Sequence, residues 1–383
     1  MKYFKLLTVL ALLLASCTQN SKKQDNIPVI DFNREQNVDV SDILELDFVK
    51  LETDENCLIN KSVRQIESFD GRIFILSGGE SSSLFVFDRS GKFISSIGNM
   101  GNAPGEYVAI TSFCIDRRRN TVSLADPGQK KIINYSTENY EFVSEHKTSD
   151  YTFLCFEYLD GNKIVCTDVG TSSDSVEWNF ILADTNQRYI NRYVKKEFIT
   201  GYHTGPLKNL YKYKDELYAY PEYQTDHFVY RLSEDGAVPV YRLQFGKYVR
   251  PSISYLKKIS AGNENFLGSL YQSDYVYNFH VFETDKALCA DYTVSGAGHI
   301  GIHSKSSGKT YSYTVEEFQN MLKTGKIQQI SGIVDDYVAT VLQPFELIEM
   351  KAGGHEFPQK LQKLVNESKD DDNPVLCLFK VKD

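Results

Sequence analysis

Two histidines four residues apart, His299 and His303, form the first spacing in this chain that could do chemistry. On a helix they would share one face and could share a metal ion. Their neighbours Gly298, Ile300, Gly301 and Ile302 read instead as a strand, where four residues span about 13 Å. One cation cannot hold both rings at about 2 Å. The second spacing is Ser306-Ser-Gly308-Lys309-Thr310, which has the tail of a phosphate-cradling loop. That loop needs glycine where His303 stands, and its lysine must open a helix. Here the segment falls in a hairpin, so nucleotide binding is not expected. The chain has no Gly-x-Ser-x-Gly elbow, no His-Glu-x-x-His, no Cys-x-x-Cys and no EF-hand loop. Asp335-Asp336 and Asp370-Asp371-Asp372 read as turn residues and solvated charge. The sequence therefore assigns no catalytic residue, no metal ligand and no cofactor.

The chain has seven cysteines. If Asp160-Gly161 forms a two-residue hairpin turn, residues on either side pair in a fixed register. In that register Cys155 faces Cys166, which makes them a candidate disulfide. The third motif of interest is a glycine-rich link, Gly98-Asn-Met-Gly101-Asn-Ala-Pro104-Gly105-Glu106-Tyr107. The glycines supply backbone freedom where the chain crosses between two units. Gly98, Gly101, Gly105, Glu106 and Tyr107 are also candidates for lining a ligand face.

Composition limits the partners. The 383 residues carry a net charge of −9, and losing Lys2 and Lys5 would make the balance two charges more negative. Nucleic acid demands clustered Lys and Arg. The one tight basic run, Arg117-Arg118-Arg119, lies between two strands and reads as a solvated turn. Charged residues at 24% and aromatics at 13% describe a globular chain. Tyr (25) and Phe (23) far outnumber Trp (1), and such aromatics favour strands.

The elements that must position these residues repeat. Val63–Ile66, Ile73–Leu76, Leu84–Phe87 and Phe93–Ile97 are four strands with Gly and Asp at the turns. Further units follow over about 109–146, 153–193, 210–245 and 276–313. A sixth uses Gln328–Ile330, Tyr337–Thr340 and Phe345–Ile348, and lacks a fourth strand nearby. Leu44–Val49 and Val375–Val381 are left over, one near each end. The expected fold is all-β: a six-bladed β-propeller with small helical insertions, its ring closed by pairing the N- and C-terminal strands. Three helices are expected between strands. They are Tyr255–Leu270, Val315–Leu322 with Thr314 and Glu317 as a capping box, and Pro358–Val365.

The first residues give a location. Lys2 and Lys5 precede an apolar run, Leu6 to Leu14, broken by Thr8. That run is shorter than the roughly 20 residues a membrane span needs, and it reads as a signal peptide. Leu14-Ala15-Ser16-Cys17 resembles a bacterial lipobox, which implies cleavage before Cys17 and lipidation of its thiol. The expected division is 1–16 signal peptide, 17–30 lipidated tether and 31–383 propeller.

The Gly-x-x-Gly-x-x-Pro-Gly-Glu-Tyr link resembles the inter-blade loop of NHL-type propellers. Gly201-Tyr-His-Thr-Gly205-Pro206 resembles a degraded copy. With the lipobox and the closing Asn373-Pro374-Val-Leu-Cys-Leu-Phe-Lys380, the chain resembles the 6-bladed β-propeller lipoproteins of Bacteroidota. In that group, acidic residues after the lipidated cysteine look like a surface-export signal, and Thr18–Lys23 contains none. The resemblance implies an outer-membrane lipoprotein facing the periplasm. It offers no catalytic residues. The expected function is a binding module for a glycan, peptide or protein ligand. The alternative is a lactonase-like hydrolase or lyase with a metal in its channel.

Overall fold

The structure, a computed structural model, describes residues 27–33, 38–60, 62–79, 82–148, 153–168, 178–185, 189–200, 208–221, 224–261 and 265–382. Runs of β-branched and aromatic residues form short antiparallel strands, each set of four making one blade. Blade 1 holds Val63–Phe69, Arg72–Ser77, Ser83–Asp88 and Phe93–Ile97. Blade 2 holds Ser112–Asp116, Thr121–Asp126, Lys131–Ser136 and Phe142–Lys147. Blade 3 holds Phe153–Asp160, Lys163–Asp168, Trp178–Asp184 and Tyr189–Lys195. Blade 4 holds Leu210–Tyr213, Glu216–Ala219, Phe228–Ser233 and Gly236–Gln244. Blade 5 holds Asn278–Glu283, Ala287–Val294, Ala297–Ser304 and Thr310–Thr314.

Blade 6 closes the ring as the leftover strands required. Its order is Gly332–Val334, Tyr337–Leu342, Val375–Val381 and then Leu44–Lys50 from the other end of the chain. Leu44 pairs with Val381 and Lys50 with Val375, without a register break. The inner strands of blades 6 and 1 touch directly, in parallel, at Gly332 and Ile66. A Cβ on Gly332 would sit 1.8 Å from the Ile66 carbonyl oxygen, so only glycine lets the two blades meet there.

The apolar core is divided into slabs between neighbouring blades. Phe74, Leu84, Phe113 and Leu124 fill the gap between blades 1 and 2. Tyr220, Phe245, Phe279 and Tyr292 do so between blades 4 and 5. Val334, Leu376, Ile66 and Ile75 join blade 6 to blade 1. The helix Val315–Leu322 wedges Phe318 and Leu322 into the slab between blades 5 and 6. Its capping box is formed: Glu317 N donates to Thr314 Oγ1 at 3.1 Å, and Thr314 N to Glu317 Oε2 at 3.0 Å. Among the described residues no helix is long and apolar enough to cross a membrane.

Four expectations change. Val29–Asp31 already belongs to the fold, as a parallel fifth strand on the outer edge of blade 4, so the ordered ring starts before residue 31. Phe345–Ile348 is helical, inside Pro344–Ala352, and Pro at its first position fits a helix start. Gln328–Ile330 precedes the inner strand of blade 6 and is not itself a strand. The stretch Tyr255–Leu270 is two helices, Ile253–Ala261 and Phe266–Tyr271.

Candidate functional site

The six inner strands run the same way along the ring axis and surround a cavity of about 970 Å³. One mouth lies where these strands begin, near Arg64, Lys208 and Gln329. The other lies where they end, near Tyr213, Asp285 and Asp336.

Polar side chains interrupt otherwise apolar inner strands, and they converge from different blades. On one side, Gln65 of blade 1 grips the backbone of Phe113 in blade 2. Its Nε2 donates to the carbonyl at 2.7 Å, and its Oε1 accepts from the amide at 3.1 Å. Lys208, just before blade 4, reaches across. Its Nζ lies 2.6 Å from Glu67 of blade 1, 3.2 Å from Glu157 of blade 3 and 2.9 Å from the Phe113 carbonyl. One ammonium therefore ties four blades together. Burial alone would push Lys208 down, but Glu67 and Glu157 reverse this and raise it, so it is a cation at ordinary pH. Burial lifts the carboxyl of Glu157, and Lys208 and Lys212 pull it back. Lys212, 3.8 Å from Glu157, is exposed to the channel.

The side built by blades 5 and 6 is different. Asn278, His280 and Gln329 line it. Gln329 Nε2 donates to the His280 ring. Burial pushes His280 down to about 3, so the imidazole is neutral. Asp291 pairs with His280 across the strands and accepts from Ile330 N at 3.0 Å. Burial pushes its carboxyl up to about 7, against that hydrogen bond. The buried Asn278 Oδ1 has no hydrogen-bond partner among the described residues.

The second mouth is rich in carboxylates, each with partners. Glu283 accepts from Tyr211 at 3.0 Å, from Tyr241 at 3.3 Å and from Lys305 at 2.8 Å. Asp285 accepts from Tyr213 at 3.0 Å and lies 3.2 Å from Lys214. Asp335 pairs with Arg89. Among the described residues no three His, Cys, Asp or Glu side chains converge as a metal-ligand set. The site can hydrogen-bond, stack on tyrosines and accept polar groups.

Of the residues singled out from the sequence, Arg117, Asp335 and Asp336 line the cavity and the others lie elsewhere. None of Gly98, Gly101, Gly105, Glu106 and Tyr107 lines the cavity. They form a brace at the outer edge of blades 1 and 2. Tyr107 is buried in the slab between those blades. Glu106 accepts from Ala103 N at 2.9 Å, and Gly105 N donates to Glu145 at 3.2 Å. Arg117-Arg118-Arg119 is a turn in blade 2, with Arg117 donating to the Ser68 carbonyl at 3.0 Å. His299 and His303 share one strand, and Ser306–Thr310 is a hairpin turn.

The Cys155–Cys166 pairing fails on register. Asp160 pairs with Lys163 around a Gly161-Asn162 turn, bulges follow, and Cys166 ends opposite Phe156. Cys155 then faces the slab toward blade 4 and Cys166 the slab toward blade 2. Neither is in a disulfide, nor are Cys57, Cys114, Cys289 and Cys377. Cys17 and Gly201–Pro206 lie outside the described residues.

The channel residues were missed because they are far apart in sequence. The available signal was a charged or amide residue inside an apolar strand, as in Val-Arg-Gln-Ile-Glu at 63–67 and Phe-Glu-Tyr at 156–158.

Comparison with known proteins places the ring. A protein of Bacteroides fragilis NCTC 9343, named as a predicted exported protein, is 32% identical, and the match covers 93% of this chain and 100% of that one with a TM-score of 0.87. A DUF4221 family member from Bacteroides vulgatus ATCC 8482 shares the fold alone: 10% identity over 89% and 99% of the two chains, TM-score 0.54. No curated protein matches the chain. The model of the DUF5128 family, described as a 6-bladed β-propeller, matches residues 18–339, and the chain belongs to that family.

Proposed function

We propose that this is an exported propeller that binds a polar ligand in its axial channel and is held to the membrane by lipid on Cys17. The channel carries the binding reading. It is a cavity of about 970 Å³ with tyrosines and paired charges on its walls, and its carboxylates are already engaged by lysines and tyrosines. Preorganised polar groups of this kind fix a ligand's orientation. A glycan, a peptide or a protein segment has the hydroxyls and amides such walls would recognise. Export is supported by the amino-terminal signal pattern and by the name of the Bacteroides fragilis relative. The lipobox-like Leu14–Cys17 and the lack of acidic residues in Thr18–Lys23 support an outer-membrane lipoprotein facing the periplasm.

The test is a glycan and peptide array probed with the protein and with Lys212→Ala, which removes a channel cation that is exposed and weakly paired. Hits weakened by Lys212→Ala support the channel. Hits unaffected by it place the ligand elsewhere, and an array without hits counts against a glycan or peptide ligand.

A further inference from the structure

The link between blades 4 and 5 is a surface as well as a connection. It carries the helices Ile253–Ala261 and Phe266–Tyr271, whose inward side chains form a small core with Phe198. Tyr271 OH donates at 3.1 Å to the carbonyl of Gly296, in the turn between the second and third strands of blade 5. That turn lies on the face where the inner strands begin. The helices therefore cap that face, opposite the carboxylate-rich mouth.

Outward, the cap is apolar and basic. Val249 is 59% exposed, Tyr271 54% and Leu267 43%. Lys247, Lys257 and Lys258 are exposed beside them. Across the whole link, 245–277, the sequence has Lys247, Arg250, Lys257 and Lys258 against Glu264 and Asp274, with Arg250 buried, in a chain of net charge −9. Apolar and tyrosine side chains flanked by lysines match the headgroup boundary of a bilayer.

The chain enters the fold beside this cap. Val29 pairs with Arg242 and Asp31 with Gln244, at the end of the strand that leads into the connector. Gly246 N donates to Asp31 Oδ1 at 2.9 Å. From Cys17 to Val29 the chain can span at most about 40 Å. An anchor at Cys17 keeps this edge of the ring within about 40 Å of the membrane.

We propose that the blade 4–5 cap is the membrane-facing surface of the protein. Val249, Leu267 and Tyr271 enter the headgroup layer, and Lys247, Lys257 and Lys258 meet anionic headgroups. The channel mouth bearing Asp285 and Asp336 then points away from the bilayer. This rests on the lipid-anchored reading of Cys17.

The test uses the full lipoprotein in vesicles of phosphatidylethanolamine and phosphatidylglycerol containing brominated lipid. Tryptophan is introduced singly as Leu267→Trp on the cap and Asp215→Trp at the opposite mouth, with the parent's Trp178 signal subtracted. The expected result is quenching several-fold stronger for Leu267→Trp, reduced when Lys257→Glu and Lys258→Glu are added. Equal quenching at the two positions on vesicle-bound protein overturns the cap contact and leaves the lipid anchor standing. Quenching replaced by shielding only in whole envelopes assigns the cap to a protein and overturns the proposal. Protein that does not float with vesicles and carries no lipid on Cys17 overturns the anchor and the cap together.

Discussion

The channel wall built by blades 1 to 4 and the wall built by blades 5 and 6 hold polar groups in the same confined space by opposite means. The first is ionic: Lys208 joins Glu67, Glu157 and the Phe113 carbonyl across four blades. The second is uncharged at its centre: His280 is kept neutral, Gln329 leans on it, and the Asn278 oxygen has no partner among the described residues. An ionic crossbar fixes the relative position of blades, since removing one charge strands the others. A neutral wall leaves amides and an imidazole to exchange partners with an incoming group. The first wall fixes the shape of the channel, and under the binding proposal the second is the side that would select a ligand.

The largest effect should come from breaking the crossbar. Lys208→Met leaves Glu157 buried with only the more distant Lys212, and should lower stability by about 3–5 kcal/mol in denaturant unfolding. Adding Glu157→Met should recover much of that loss, because the stranded charge goes with it. A double variant as unstable as the single one would mean that the crossbar is ordinary packing.

The neutral wall is sharpened by pH. Asp291 has a folded-state pKa raised to about 7, so its contribution is complete below the unfolded value near 4 and fades as pH rises through 7. His280 has one lowered to about 3, so its contribution is complete above the unfolded value near 6.5 and fades as pH falls toward 3. Between about pH 4 and 6.5 the two slopes oppose each other. Asp291→Asn should leave stability rising with pH across that window, and His280→Gln should leave it falling. Thermal unfolding at stepped pH reads both slopes, and two variants with parallel profiles would contradict the assignment.

A smaller effect is expected at Asn278. Its Oδ1 is buried without a partner among the described residues, so Asn278→Leu should be neutral or stabilising by about 1 kcal/mol. A clear loss in calorimetry would show that the amide has a partner after all. The smallest perturbation is chemical. The six described cysteines are buried and outside any disulfide, and burial pushes Cys289 and Cys377 up to about 12. A thiol reagent should leave all six unmodified in the native protein and label them after unfolding.

The ring was legible in the sequence because each blade is local. The strands at Val63–Ile97 repeat with turn residues at fixed offsets, and two leftover strands, Leu44–Val49 and Val375–Val381, had nowhere to pair except with each other. Local signals misled where register or length was subtle. A bulge after Gly161-Asn162 separates Cys155 from Cys166, and the inner strand Gly332–Val334 is only three residues long. Phe345–Ile348 looks like a strand until Pro344 is taken as a helix start. The channel was not legible, since Lys208 and Glu67 are 141 residues apart and meet only through closure of the ring. The glycine link at 98–107 drew attention as the most distinctive motif, and its side chains serve the junction of two blades.

The most direct test of the account is covalent footprinting of the protein with and without its best array ligand. The channel reading predicts protection at Lys212, Tyr213 and His280, with Met100 and Glu106 on the rim unchanged. Protection confined to the 98–107 rim, with the channel residues still reactive, would contradict it.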